Sequence, residues 1–152
     1  MTTQSHTMLA LAVAIPTDSS AWPIKAITLV GLALSHIPAD RLPHYHFYDF
    51  SHLKKTWRGA VLELGGGLIV LPLIVWQLTH INPWWLMACV MAASLFDFMV
   101  ATKIKVVIKM NHWAHQWKHD DKMSIPKIVR YEIAQFFTLL SILSIVVIWY
   151  RF

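Results

Sequence analysis

Apolar residues in this chain run in long blocks and do not alternate with polar ones, and the blocks predict helices. Three blocks reach the roughly 20 residues a membrane-spanning helix needs. They are 59–79 (GAVLELGGGLIVLPLIVWQLT), 84–102 (WWLMACVMAASLFDFMVAT) and 131–150 (YEIAQFFTLLSILSIVVIWY). Two shorter blocks lie upstream, 6–15 and 24–37. At about 15 and 21 Å of helix they fall short of a hydrocarbon layer, and are read as a hairpin that partly crosses or that is lengthened by its polar ends. The separator PTDSSAWP is a turn in which Asp18 and Ser19 are candidate N-caps. Pro72 is expected to kink the third block, because it has no N–H to give and its ring meets the preceding turn. Gly65, Gly66 and Gly67 are expected to let another helix approach closely. The polar stretches 38–57 and 103–129 are loops, with 104–119 (IKVVIKMNHWAHQWKH) read as a helix that continues block 84–102 or lies on a membrane surface. The expectation is one all-α domain over 1–152, a polytopic membrane bundle of about five embedded helices.

Composition agrees with that class. Hydrophobic residues make up 57% of the chain and charged residues 14%, against roughly 25% charged in an ordinary soluble domain. Eight tryptophans suit anchoring at the membrane interface. The one cysteine, Cys89, rules out an internal disulfide and reads as a small buried hydrophobe. Residues 7–15 resemble a signal-peptide core, but no Lys or Arg precedes Lys25, so the N-terminus is read as part of the mature protein. The net charge of +5 lies beside apolar blocks and forms no single stripe, which argues against nucleic-acid binding. Eleven of the thirteen basic residues lie in or beside the two polar loops, and the HINP turn at 80–83 has none. The positive-inside rule then puts both loops and the N-terminus on the cytoplasmic side.

On that map eight of nine histidines and seven of eight acids share the cytoplasmic face. Loops collect polar residues in any case. Glu63, Asp97 and Glu132, however, sit within apolar blocks, where an ionisable group is costly and usually functional or paired. Asp97, in SLFDFM, is the strongest single candidate for a ligand or catalytic group.

Several constellations carry metal-type chemistry. His36 and Asp40 have HxxxD spacing, which places both on one helical face, although Pro38 between them weakens that geometry. His112, His115 and His119 form HxxHxxxH, with the i, i+4 pair at 115 and 119. A plain solvated face is the rival there, since Lys118, Asp120 and Asp121 lie alongside. His44 and His46, in PHYH, share a direction only if the loop is extended. Together with His112 and Glu63 they are additional ligands or substrate contacts. Imidazoles and carboxylates without thiolates suit zinc first, with iron or manganese as alternatives, and one or two ions can be held. Such an ion activates water for attack on a phosphoester. Asp97 or Asp49 would serve as general base, and Lys54, Lys55 and Arg58 would hold a phosphate or lipid head group. No GxSxG, Walker or Rossmann glycine pattern is present.

The ordered set SHTMLALAVAI, LALSHIPADRLPHYHFYD, ASLFDFM and NHWAHQWKH resembles the small bacterial membrane-bound metal-dependent hydrolases, distant relatives of the zinc-dependent phospholipase C group. Phe96 stands where that family's pattern has Pro. The resemblance implies His6, His36, Asp40, Asp97, His115 and His119 as metal ligands. It also implies hydrolysis of a lipid or lipid-linked phosphoester at the inner membrane of a bacterium. Two other readings stay open: a non-enzymatic subunit that handles metal or protons, and a di-iron histidine-box oxygenase. The latter's paired HH boxes are absent. Oligomeric state is not legible from the sequence.

Overall fold

The computed structural model of the chain describes residues 3–39, 65–95, 106, 109 and 125–152. Every regular element among them is helical. Helix α1 runs Thr3–Thr17, α2 runs Trp22–Ala39, a π-helical segment occupies Gly66–Val70, α3 runs Leu71–Thr79, α4 runs Pro83–Ala93 and α5 runs Ile125–Arg151.

α1 and α2 extend beyond the apolar blocks that predicted them: α1 gains Thr3 to Ser5 and Pro16 to Thr17, and α2 gains Trp22, Pro23, Pro38 and Ala39. α1 is the centre of the bundle. It packs on α2, α3, α4, α5 and the π segment, and four consecutive residues, Ser5 to Met8, are buried. A helix buried on every side must be apolar or small on every side; Ala10, Leu11, Ala14 and Ile15 meet that requirement. The short helix that looked least able to stand alone is therefore the one the others surround.

The π segment lies directly before Pro72. The Leu71 N–H reaches the Gly66 carbonyl, a five-residue step in place of four. A wider turn relieves the contact between a proline ring and the carbonyl four residues earlier. The expected kink is thus present as a π turn. Gly67 is buried against α1, where an added Cβ would stand 3.3 Å from the Gln4 backbone nitrogen and 3.4 Å from its Cα. The close approach expected of this glycine run is seen at Gly67.

α4 departs from expectation. The block 84–102 is not one continuous helix: α4 stops at Ala93, and Ser94 (φ −98°, ψ 9°) leaves the helical region. At the other end Asn82 caps α4, accepting from the Trp84 N–H at 2.9 Å and the Trp85 N–H at 3.3 Å. Asp18 is not an N-cap of α2. Its Oδ2 instead accepts the Asn82 N–H at 3.2 Å, tying the α1–α2 turn to the α3–α4 turn. Near this tie Trp85 Nε1 donates to the Ala14 carbonyl at 3.1 Å and Lys25 Nζ lies 5.0 Å from the Trp85 ring. The opposite end of the bundle holds the start of α1, the end of α2, the Gly66–Gly67 turn and the end of α4.

The helices around α1 have apolar outward faces, with Ile27 72%, Trp84 83%, Ile145 65% and Trp149 73% exposed. Among the described residues one segment, Arg130–Arg151, is both long enough and apolar enough to cross a membrane; Gly66–Thr79 and Pro83–Ala93 are shorter apolar helices. The all-α expectation holds among the described residues; of the five membrane-embedded helices expected, one reaches spanning length and composition there. The segments at 59–64, 96–102 and most of 104–119 lie outside the described residues; Val106 and Lys109 are helical and exposed.

The glycine contact makes a paired prediction. No atom lies within 4 Å of a Cβ built on Gly65, so Gly65→Ala gains helix propensity and is neutral or stabilising by up to about 1 kcal/mol. Gly67→Ala pushes on backbone, and is expected to sit about 1–3 kcal/mol below Gly65→Ala. Thermal unfolding of the two variants in detergent, followed by circular dichroism, measures the gap; coincident transitions would show that Gly67 makes no packing contact.

Candidate functional site

Two of the predicted ligands meet. His6, in the first turns of α1, and His36, in the last turn of α2, are both fully buried. Their rings stack with centroids 4.4 Å apart and planes inclined by 15°. The α1–α2 hairpin accounts for this: antiparallel helices joined by a short turn bring the start of the first beside the end of the second. Pro38 falls two residues after His36, close to the end of α2, so the histidine keeps helical backbone.

α4 supplies the third wall. His36 Nδ1 lies 3.2 Å from the Ala93 carbonyl oxygen. A carbonyl can only accept, so Nδ1 carries the proton and donates, and the lone pair resides on Nε2. Metal-binding histidines are commonly oriented by this kind of second bond. Ala93 is among the last residues of α4, whose carbonyls have no partner within the helix. One contact therefore satisfies a helix end, fixes a tautomer and orients a ring.

The fully buried polar residues among those described are Ser5, His6, Thr7, His36 and Ser94. All five belong to this one end of the bundle. Between it and the Asp18–Asn82 end the interior is apolar, filled by Met8, Leu11, Ile15, Leu86, Cys89 and Val90. Cys89 is buried as expected. Among the described residues Ser94 Oγ finds no hydrogen-bond partner, a condition that costs about 1–3 kcal/mol for a buried hydroxyl.

Comparisons with family models, curated proteins and solved structures gave no match to this chain. The site therefore has to be read from its own chemistry.

Among the described residues no third His, Cys, Asp or Glu joins the pair in a group able to hold a metal ion. Asp40, Asp97, His115 and His119, the other implied ligands, lie outside the described residues. So do Asp49, Glu63, His44, His46, His112, Lys54, Lys55 and Arg58. In the chain Asp40 directly follows Ala39, the last residue of α2, and Asp97 follows Ser94 by three positions. Glu132 is half-buried near the start of α5. His80 is exposed at the opposite end, in the left-handed conformation that closes α3.

The residues that sequence reasoning missed are Ala93, which acts through its carbonyl, and Ser94. A backbone acceptor leaves no trace in residue identity, and serine beside alanines reads as ordinary small-residue packing.

Stacked rings of this kind are coupled in stability. A double-mutant cycle of His6→Ala and His36→Ala is expected to give an interaction energy of about 0.5–1.5 kcal/mol in chemical unfolding. Additive losses would mean that the two rings do not act on each other.

Proposed function

We propose that this chain is a membrane-embedded, metal-dependent hydrolase acting on a lipid or lipid-linked phosphoester at the cytoplasmic face. The observation that carries the reading is the buried His6–His36 pair, two imidazoles stacked at one end of the bundle with His36 Nδ1 donating to the Ala93 carbonyl. The donor set fits a divalent ion, zinc first. His6 and His36 would hold the ion together with Asp40, Asp97 and the late histidines His115 and His119. Such an ion supplies Lewis acidity and activates water near neutral pH. Asp97 or Asp49 would take the proton, and Lys54, Lys55 and Arg58 would hold the phosphate.

The membrane placement rests on the apolar exterior and on hydroxyl behaviour. Thr138, Ser141 and Ser144, exposed on α5, each donate back to the carbonyl four residues earlier at 2.8 Å. In hydrocarbon this is the partner within reach. The segment Arg130–Arg151 adds a spanning length. An enzyme is favoured over a subunit that passes protons or metal across the bilayer because the buried polar groups gather at one end, with apolar packing beyond them.

A lipid substrate is supported by a lateral groove of about 310 Å³ between the π segment, α3 and α4. Its walls include Leu68, Ile69, Pro72, Leu73, Trp76 and Met87, all apolar. Leu68 to Trp76 spans about 12 Å of helix, comparable with the ~15 Å depth of one leaflet's hydrocarbon. The groove suits one acyl chain.

Metal content of the detergent-purified protein tests the reading. Wild type is expected to carry one or two equivalents of zinc, iron or manganese by mass spectrometry. His6→Phe and His36→Phe keep a ring in the stack yet remove the ligand nitrogen, and each is expected to lose most of the metal. Wild-type protein that stays metal-free after reloading would end the hydrolase proposal. Separately, a phospholipid bearing a photoactivatable acyl chain should label Met87 and its neighbours, and Leu73→Trp should suppress that labelling without altering metal content. Even labelling over all exposed apolar faces would count against the acyl groove.

A further inference from the structure

We infer that the Ser94 hydroxyl is a further contact of the His6–His36 site, a hydrogen-bond donor to an oxyanion of the phosphate class; this rests on the metal-dependent hydrolase reading. Ser94 is 1% exposed. It continues the inner face of α4, on which Trp85, Leu86, Cys89, Val90 and Ala93 are buried. That spacing is one stripe of a helix, and α4 packs on α1 and α2, the helices that carry the two histidines. Ser94 is thus the last inner-face position, directly after the residue whose carbonyl holds His36. Its Oγ is five bonds from that carbonyl oxygen.

The hydroxyl itself is what requires explanation. Six helix hydroxyls elsewhere in the bundle fold back onto their own backbone: Thr17 onto Val13, Ser35 onto Leu32, Thr79 onto Val75, and three on α5 onto carbonyls one turn earlier. Ser94 has the same option and does not take it, since its Oγ is buried with no hydrogen-bond partner. Its backbone N–H is committed, reaching the Val90 carbonyl at 3.1 Å. A buried donor next in the chain to the residue that holds His36, at a break in α4, is placed for a ligand's acceptor.

The chemistry selects which ligand. Serine is not among the usual ligands of zinc, which are thiolates, imidazoles and carboxylates. The hydroxyl therefore serves the group that a cation at the histidines would attract. A phosphoryl oxygen is such a group: it is anionic, it accepts several hydrogen bonds, and donation to an ionised acceptor is the stronger kind of bond. Ser94 positions and binds on this account, and no bond to it is made or broken.

The test uses full-length, zinc-loaded protein in detergent with inorganic phosphate as the probe, titrated by calorimetry. Wild type is expected to bind phosphate. Ser94→Ala should keep its zinc and weaken phosphate binding by about tenfold or more, while Ser94→Thr, which keeps a hydroxyl, retains most of the affinity. A second readout separates a ligand contact from a structural one: metal-free Ser94→Ala should melt no lower than metal-free wild type, because the hydroxyl it removes has no partner to lose. Unchanged phosphate affinity in Ser94→Ala, or a lowered metal-free melting temperature, overturns the inference and leaves the metal site standing. Wild type that binds no zinc overturns both.

Discussion

The last carbonyls of a helix have no partner within it, and when the helix end is buried they must find one elsewhere. At the end of α4 the Ala93 carbonyl accepts from His36 Nδ1, and much of the bundle's arrangement follows from that bond. It ties α2 to α4. It turns the His36 ring so that it lies flat against His6, which brings α1 to the same point. Three helices converge on one imidazole, and burial strengthens the bond by excluding the water that would compete for it.

Around that point the helices cross closely. If lipid surrounds the outer faces, helices gain by close van der Waals contact, and small residues at their crossings make it available. Gly67 against Gln4, and Ala10 and Ala14 within α1, have this character. The far end is held differently, by the Asp18–Asn82 bond and by Trp85, which reaches Ala14 and meets Lys25. One end is thus a set of polar clasps between turns, the other a buried pair of imidazoles with an open hydroxyl nearby. Stability and function are separated along the bundle axis.

That separation bears on chemistry. Buried polar groups are expensive unless satisfied, and here they are concentrated where the two long polar loops leave and rejoin the helices. An apolar interior then extends to the far end, with a lateral groove whose walls carry no polar side chain.

Much of the helical layout was legible in residue order, because unbroken apolar blocks admit few other structures. The turn at 16–23, the turn at 80–83 and the close approach at the glycine run were legible for the same kind of local reason. Of the ligand-type side chains expected to gather at one end, His6 and His36 do lie together there, while Asp40, Asp97, His115 and His119 lie outside the described residues. The break at Ser94 was not legible, for AASLFDFM has no glycine or proline to announce it. Nor could the sequence show that the short first helix is the core, or that His6 would stack on His36. Those outcomes depend on how helices rotate and cross, which small contacts such as Gly67 on Gln4 decide, and on a backbone carbonyl at Ala93 that every residue type would have supplied. Sequence determined which groups were available; tertiary packing decided which of them touch.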